Sequence, residues 1–483
     1  MDMLMIQLEK DSKIPLYEQL YEEIKKGIIE GTIAVHTKLP SKRKLSEFLS
    51  ISQTTVELAY AQLIAEGYIT SKSRVGFFVE AIEELAYVEK TLPHHAIKKA
   101  LNPQILIDFN PGKIDTSSFP FTTWRKYAKE AIDYHEKDLL LTGTPQGELG
   151  LREQIANYLY QSRGVLCSPE QIVIGSGTEQ LLPMIMKLLG EENQYAIENP
   201  GYTQTHHIFS QYNQQVIPIN VDEDGMQIQE LEHSSANIAY VTPSHQFPTG
   251  AVLSASRRAQ LLNWAAQDGQ RFIIEDDYDS EFRYIGKPIA SLQGMDHRDK
   301  VIYISTFSKS LMPSLRIAYF VLPEKLLSRY YNMFTYYTST VPRFEQHILA
   351  QFMRDGYFSK HLNRMRKIYR KKLEKLTHAL MPYAPTVTIS GEQAGMHVVL
   401  TVKHEMNAST LSNIALQHGI RITPIKEYML APTIQNREDQ FLLGFGGLEE
   451  NDILNNIQKL MDCWNIQNFQ IKFSGGFLHP PLN

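Results

Sequence analysis

Val301-Ile302-Tyr303-Ile304-Ser305-Thr306-Phe307-Ser308-Lys309-Ser310 is an apolar run that gives way to hydroxyls and then to a lysine. Its first four residues are β-branched or aromatic, which predicts a buried strand ending near Ser305. Upstream, the run at 271–274 leads into Asp276-Asp277-Tyr278, and Arg316 stands seven residues after Lys309. A lysine at a strand end, flanked by Thr306 and Ser308, suits a Schiff base to the aldehyde of pyridoxal 5′-phosphate (PLP). An acid such as Asp276 pairs with the pyridinium nitrogen of that cofactor, and hydroxyls with an arginine hold its phosphate. Most lysines are solvated surface charge; the spacing to Asp276 and Arg316 argues otherwise here.

Further apolar runs at 171–174, 194–197, 237–241 and 317–321 accompany these two, with helical patterns between them. That alternation predicts an α/β domain around a mostly parallel sheet from about residue 106, and a smaller α+β lobe from about residue 345. Gly175-Ser176-Gly177-Thr178 follows the first run and opens a helix, so the amides of Gly177 and Thr178 can receive a phosphate. Such a turn needs glycine in any case, and alone it is weak. Tyr202, in Asn199-Pro200-Gly201-Tyr202, reads as a core aromatic when taken alone.

The first eighty residues follow another pattern. Leu16, Leu20, Ile24 and Ile28 recur every four positions and predict an amphipathic helix over 15–30, stopped by Gly31. Ser41 is suited to cap a second helix through Leu49, with Leu45, Phe48 and Leu49 as its buried stripe. After the turn Ile51-Ser52, a third helix over 53–66 is expected to bury Val56, Tyr60, Leu63 and Ile64 and to end at Gly67. Two short strands, 68–70 and 76–79, flank the wing Ser71-Lys72-Ser73-Arg74. The whole, 10–80, reads as a winged helix-turn-helix. Ser52, Gln53, Thr54 and Thr55 then open the helix that approaches base edges, Lys42 and Arg43 meet phosphate, and Lys72 and Arg74 reach phosphate or minor groove.

The net charge of −5 argues weakly against nucleic acid, but from His36 to Val79 six cations face three acids, a net +3. An acidic body with a basic tip is compatible with DNA binding. A chain of 483 residues exceeds a single core and predicts two or three domains. Neither a secretory leader nor an apolar run of membrane-spanning length is evident, so a cytoplasmic location is expected. Cys167 and Cys463 offer neither a disulfide framework nor a zinc site, so no metal is expected. Residues 81–105 lack a clear period and read as a linker, leaving 106–472 for the cofactor domain.

Leu39-Pro40-Ser41-Lys42-Arg43 and the stretch from Ala59 to Tyr68 resemble the GntR-type winged helix, with Gln53 where an arginine is usual. The motifs around Gly177, Tyr202, Asp276, Lys309 and Arg316 together resemble a fold-type I aminotransferase over about 106–470. Their combination resembles the MocR/GabR-type subfamily of GntR transcription regulators, including regulators of PLP synthesis of the PdxR kind. The resemblance implies a homodimer with PLP on Lys309, Asp276 on the pyridinium nitrogen, Tyr278 on the ring hydroxyl and Tyr202 stacked on the ring. Gly177, Thr178, Thr306, Ser308 and Arg316 then hold the phosphate. Where aminotransferases carry an asparagine before Pro-Thr-Gly, this chain has Phe247, and His245 or Gln246 is the expected substitute.

A transaminase also grips the substrate carboxylate with arginine, whose fork fixes the amine against the cofactor. The resemblance places such arginines at positions that here are Gly447 and Gln204. Arg421 and Arg437, nearby in sequence, read as surface charge. The loss of both clamps favours a PLP-dependent transcription regulator, its aminotransferase-like domain sensing PLP itself or a small amine. The competing expectation is an active aminotransferase that carries a DNA-binding domain.

Overall fold

The computed structural model describes residues 6, 8–10, 12–81, 104–212, 214–284, 286, 289–432 and 437–468. Most of the expected linker and the expected end at 472 lie outside the described residues. The chain divides into two compact units, 1–99 and 100–483.

The first unit runs α1 (Leu16–Ile29), β1 (Lys38–Leu39), α2 (Lys42–Leu49), α3 (Gln53–Ala65), β2 (Ile69–Lys72) and β3 (Gly76–Val79). Its three strands pair antiparallel in the order β1-β3-β2. Ser41 caps α2 by accepting from the Lys44 amide at 3.3 Å, and Ser52 caps α3 by accepting from the Thr55 amide at 3.1 Å. Gly67, with φ +79, ends α3 in the left-handed region as a C-terminal stop requires. Leu20, Ile24, Ile28, Leu45, Val56, Tyr60 and Leu63 form the core with Ile69 and Val79. Two expected core residues fall outside it: Phe48 is 46% exposed and Ile64 is 38% exposed. α3 buries the i, i+3, i+4, i+7 set Val56, Ala59, Tyr60 and Leu63, and Ile64 lies one residue beyond that stripe. The wing is shorter than expected, because Ser71 and Lys72 belong to β2.

The second unit is built on eight strands: β4 (Ile172–Gly175), β5 (Gln194–Asn199), β6 (Gln215–Asp222), β7 (Gly225–Met226), β8 (Ile238–Val241), β9 (Phe272–Asp277), β10 (Val301–Thr306) and β11 (Ala318–Val321). Their order is β4-β11-β10-β9-β8-β5-β6-β7. The pairings are parallel except at β11, which is antiparallel to both neighbours, and at the hairpin β6–β7. β4, β8 and β9 are buried along their whole length, which explains their continuous apolar runs. A second sheet, β12 (Val387–Ser390), β13 (His397–Val402), β14 (Thr423–Pro424) and β15 (Gln440–Gly444), is antiparallel in the order β12-β13-β15-β14. The segment Ile107–Asp108 pairs with Ile420–Arg421, so the start of the unit is tied to its later part.

This topology gathers the sequence motifs. Thr306 lies opposite Ala318, and Ala318 opposite Gly175, in one row across β10, β11 and β4. Asp276 lies opposite Ile304 on the adjoining strand. The turn at 176–178, Arg316, the Asp276 carboxylate and Lys309 therefore all come to the carboxyl edge of the parallel strands. That edge is where open α/β sheets bind ligands.

Candidate functional site

Lys309 lies in the short helix Phe307–Ser310, started by Thr306, whose hydroxyl accepts from the Ser308 amide at 3.2 Å and meets the Ser308 hydroxyl at 2.9 Å. Its ammonium donates to the Pro111 carbonyl. Burial pushes the Lys309 amine down to about 8, against the pull of the Asp279 carboxylate. A half-buried amine with a depressed pKa is a nucleophile near neutral pH.

Asp276 is 7% exposed. One carboxylate oxygen accepts from the Tyr240 hydroxyl, and the other, Oδ1, has no partner. Burial pushes this acid up to about 7, the Tyr240 bond working in the other direction. Its neighbour Asp277 accepts from Arg163 Nε at 2.7 Å and from the Tyr303 hydroxyl at 2.5 Å, inside the protein. Asp277 Oδ1 has no partner either, so what separates the adjacent acids is that Asp277 is fixed by an arginine and a tyrosine and Asp276 by a tyrosine alone.

Tyr278 is buried, and its hydroxyl lies 3.1 Å from His245 Nδ1. Gln246 is consumed by its own loop: its amide donates to the Pro200 carbonyl at 2.9 Å and the Phe247 carbonyl at 2.6 Å, and its oxygen accepts from Thr249. Of the two residues expected to replace the asparagine, His245 is the one beside Tyr278. Tyr202 stacks on Phe247, ring centroids 4.0 Å apart and 11° from parallel, and stands edge-on to Tyr278 at 5.4 Å.

At the opposite end, Gly177 adopts φ +139 and opens the helix Thr178–Leu189. A Cβ there would come within 2.4 Å of Arg316 Nη2, so glycine lets the guanidinium close over the helix N-terminus. Arg316 is bound to Glu179 at 2.8 Å, and Gln204 donates to the other Glu179 oxygen at 3.1 Å. Side chains of Lys113 fill the space beside Gly447: a Cβ on that glycine would lie 2.6 Å from Lys113 Cβ. Arg421 approaches Asp108 at 3.4 Å and is half exposed.

The residues present fit PLP. The unpartnered Asp276 oxygen suits a pyridinium proton, Tyr278 a ring hydroxyl, Lys309 an aldehyde, and the Gly177 turn with Thr306, Ser308 and Arg316 a phosphate. Sequence reasoning missed Tyr240, Asp279, His397 and Pro111. Only Asp279, next to Tyr278, carried a local signal.

On the first unit, Ser52, Gln53 and Thr54 are exposed at the start of α3 and Thr55 is half-buried behind them. Lys42 pairs with Glu57 across α2 and α3 and lies over the Phe77 ring, and Arg43 pairs with Glu47 at 2.9 Å. Lys72 lies over Phe78, and Arg74 adopts φ +61 in the turn after β2.

Residues 104–437 match the family of class I and II aminotransferases, and residues 16–79 match the bacterial regulatory proteins of the gntR family. The chain therefore belongs to the aminotransferase class I and II family and carries a GntR-type DNA-binding unit ahead of it. It is a MocR-type regulator, as its full-length relatives show. It is 43% identical over 462 residues to YdeL, an uncharacterised HTH-type transcriptional regulator of Bacillus subtilis (strain 168), covering 95% of this chain and 99% of that one. It is 32% identical over 485 residues to the probable rhizopine catabolism regulatory protein MocR of Rhizobium meliloti, covering 95% and 96%. The pyridoxine biosynthesis regulator PdxR of Corynebacterium glutamicum is more distant, at 29% identity over 441 residues, covering 90% and 93%. Among solved structures, an archaeal alanine:glyoxylate aminotransferase matches with a TM-score of 0.67 and 25% identity over 74% of this chain and 90% of that one. Among the described residues, no helix is long and apolar enough to cross a membrane.

Proposed function

We propose that this regulator binds PLP through Lys309 and that PLP is its signal, altering how the winged helix engages operator DNA. The observation that carries the reading is a contrast among the residues of this site. Lys309, Asp276 and Tyr278 lie at the same carboxyl edge of the sheet, a set suited to an aldehyde-bearing pyridine, while both positions for a carboxylate-gripping arginine hold Gln204 and Gly447. Gln204 and Arg316 share Glu179, and Lys113 fills the space beside Gly447.

When bound, PLP supplies an aldehyde and an electron-withdrawing ring. Lys309 presents a neutral amine to that aldehyde near pH 8. Asp276 Oδ1 would accept a hydrogen bond from the pyridinium N–H and keep that nitrogen protonated, while Tyr240 holds the carboxylate in place through its other oxygen. Arg316 and the helix N-terminus at Thr178 would hold the phosphate.

A ligand shifts the DNA-competent population only if it binds one arrangement of the protein better than another. A homodimer would present two winged helices to paired half-sites. The relationship to a pyridoxine biosynthesis regulator supports a PLP signal. The test is operator retardation by apo protein with and without PLP, beside an assay for amino-group transfer. Steady turnover between an amino donor and a 2-oxo acid, with DNA binding indifferent to PLP, would replace this reading with a working aminotransferase.

A further inference from the structure

Behind Tyr278, three residues distant in sequence meet in the interior. His245 is 1% exposed, Asp279 2% and His397, on β13, 3%. The imidazole rings lie 4.7 Å apart, centroid to centroid, inclined by 35°. Neither Nε2 has a hydrogen-bond partner.

An orphaned buried nitrogen loses its hydration without recompense, and two of them on neighbouring rings suit a shared occupant. The opposite nitrogens are both accounted for. His245 Nδ1 meets the Asp279 carboxylate at 2.9 Å, and His397 hydrogen-bonds the Pro248 backbone. This is the outer shell of a metal-bound histidine: one ring nitrogen anchored on a carboxylate or a backbone carbonyl, which fixes the tautomer and leaves a lone pair on the other. Donor atoms from the three residues all lie within 4.8 Å of one another. Two ligand atoms on one tetrahedral zinc, each at about 2.0–2.1 Å from the ion, stand about 3.4 Å apart, inside the span of that donor cluster.

We propose that His245 and His397 form a binding site for a divalent zinc-class cation, with Asp279 as the carboxylate that orients His245 and balances the charge. Imidazole nitrogen with a carboxylate suits a borderline ion rather than calcium or magnesium, which take oxygen. His245 Nδ1 also meets the Tyr278 hydroxyl at 3.1 Å, so the site borders the residues proposed to hold PLP. The spacings 245, 279 and 397 match no local metal motif, which is why the sequence gives no warning of it. The inference does not depend on PLP being the signal.

The test is equilibrium dialysis of the full-length chain against Zn²⁺, followed by metal analysis and zinc X-ray absorption, on protein with and without added PLP. About one zinc per chain is expected in the wild type and in a His206→Ala/His207→Ala control, with imidazole nitrogens in the zinc shell. His397→Phe and His245→Gln should lose it, and Asp279→Asn should weaken it by roughly 10- to 100-fold. Circular dichroism checks that the variants fold. Should one fail, the X-ray absorption of wild-type protein still decides through the number of imidazoles found. No stoichiometric zinc in the wild type, zinc retained by His397→Phe, or a sulfur-bound zinc at Cys167 or Cys463 would each overturn the proposal.

Discussion

The hydroxyl of Tyr240 is donated to one oxygen of Asp276, and the other oxygen of that buried carboxylate has no partner. Asp276→Asn removes the charge that a pyridinium nitrogen would meet. A hydrogen bond to a charged group contributes about 1.5–3 kcal/mol, so PLP affinity should fall roughly 10- to 150-fold in an absorbance titration. Tyr240→Phe, which leaves the charge but loosens it, should cost less. Equal PLP affinity in wild type and Asp276→Asn would remove Asp276 from the site.

The same acid predicts a pH dependence. Burial raises Asp276 to about 7, so between its ordinary value near 3.8 and pH 7 the folded chain holds a proton that the unfolded chain has released. Its contribution to stability is therefore greatest at the acid end of that window and is lost as pH rises through it. Apo Asp276→Asn should gain thermal stability relative to apo wild type on going from pH 5 to pH 8. A midpoint difference independent of pH would contradict the assignment.

Lys309 reacts as the free amine, and its pKa of about 8 sets the profile. The rate of imine formation on adding PLP to apo protein should rise about tenfold per pH unit at low pH and level off near 8, with Lys309→Ala showing none. A rise continuing to pH 10 would mean an ordinary exposed lysine is reacting. Borohydride reduction and peptide mapping should place the pyridoxyl group on Lys309.

For DNA, the Lys42–Glu57 pair adds a variant that sequence alone did not offer. Lys42→Ala should weaken all sequences similarly and lower the salt slope by about one, whereas Glu57→Gln should release Lys42 and strengthen binding. Gln53→Ala should change the selected base motif. Ser52→Ala, which removes the α3 cap, should cost about 1 kcal/mol of stability in the first unit even without DNA. An unchanged motif in Gln53→Ala would show that another side chain reads the bases.

Legibility followed the range of the interactions. The winged helix was readable because its caps, Ser41 and Ser52, and its apolar periods are local. Phe48 and Ile64 were misread because apolar character alone does not say where a helix leaves its core. The large sheet announced itself through strands buried on both faces, but β6, with Pro218 inside it, and the two-residue β1 and Ile107–Asp108 gave no periodic signal. Lys309, Asp276 and Arg316 were legible as a spacing. Tyr240, which meets Asp276 only through the fold, and His397, which meets His245 in the same way, were not.

The most direct test of the account is a titration of full-length protein onto an operator selected from genomic fragments, with and without PLP, for wild type and Lys309→Ala. A regulator that reads PLP should change its operator affinity by about 5- to 150-fold on adding PLP, and Lys309→Ala should blunt that change. Operator affinity untouched by PLP, yet shifted when an amino acid is added to the PLP-bound protein, would contradict it.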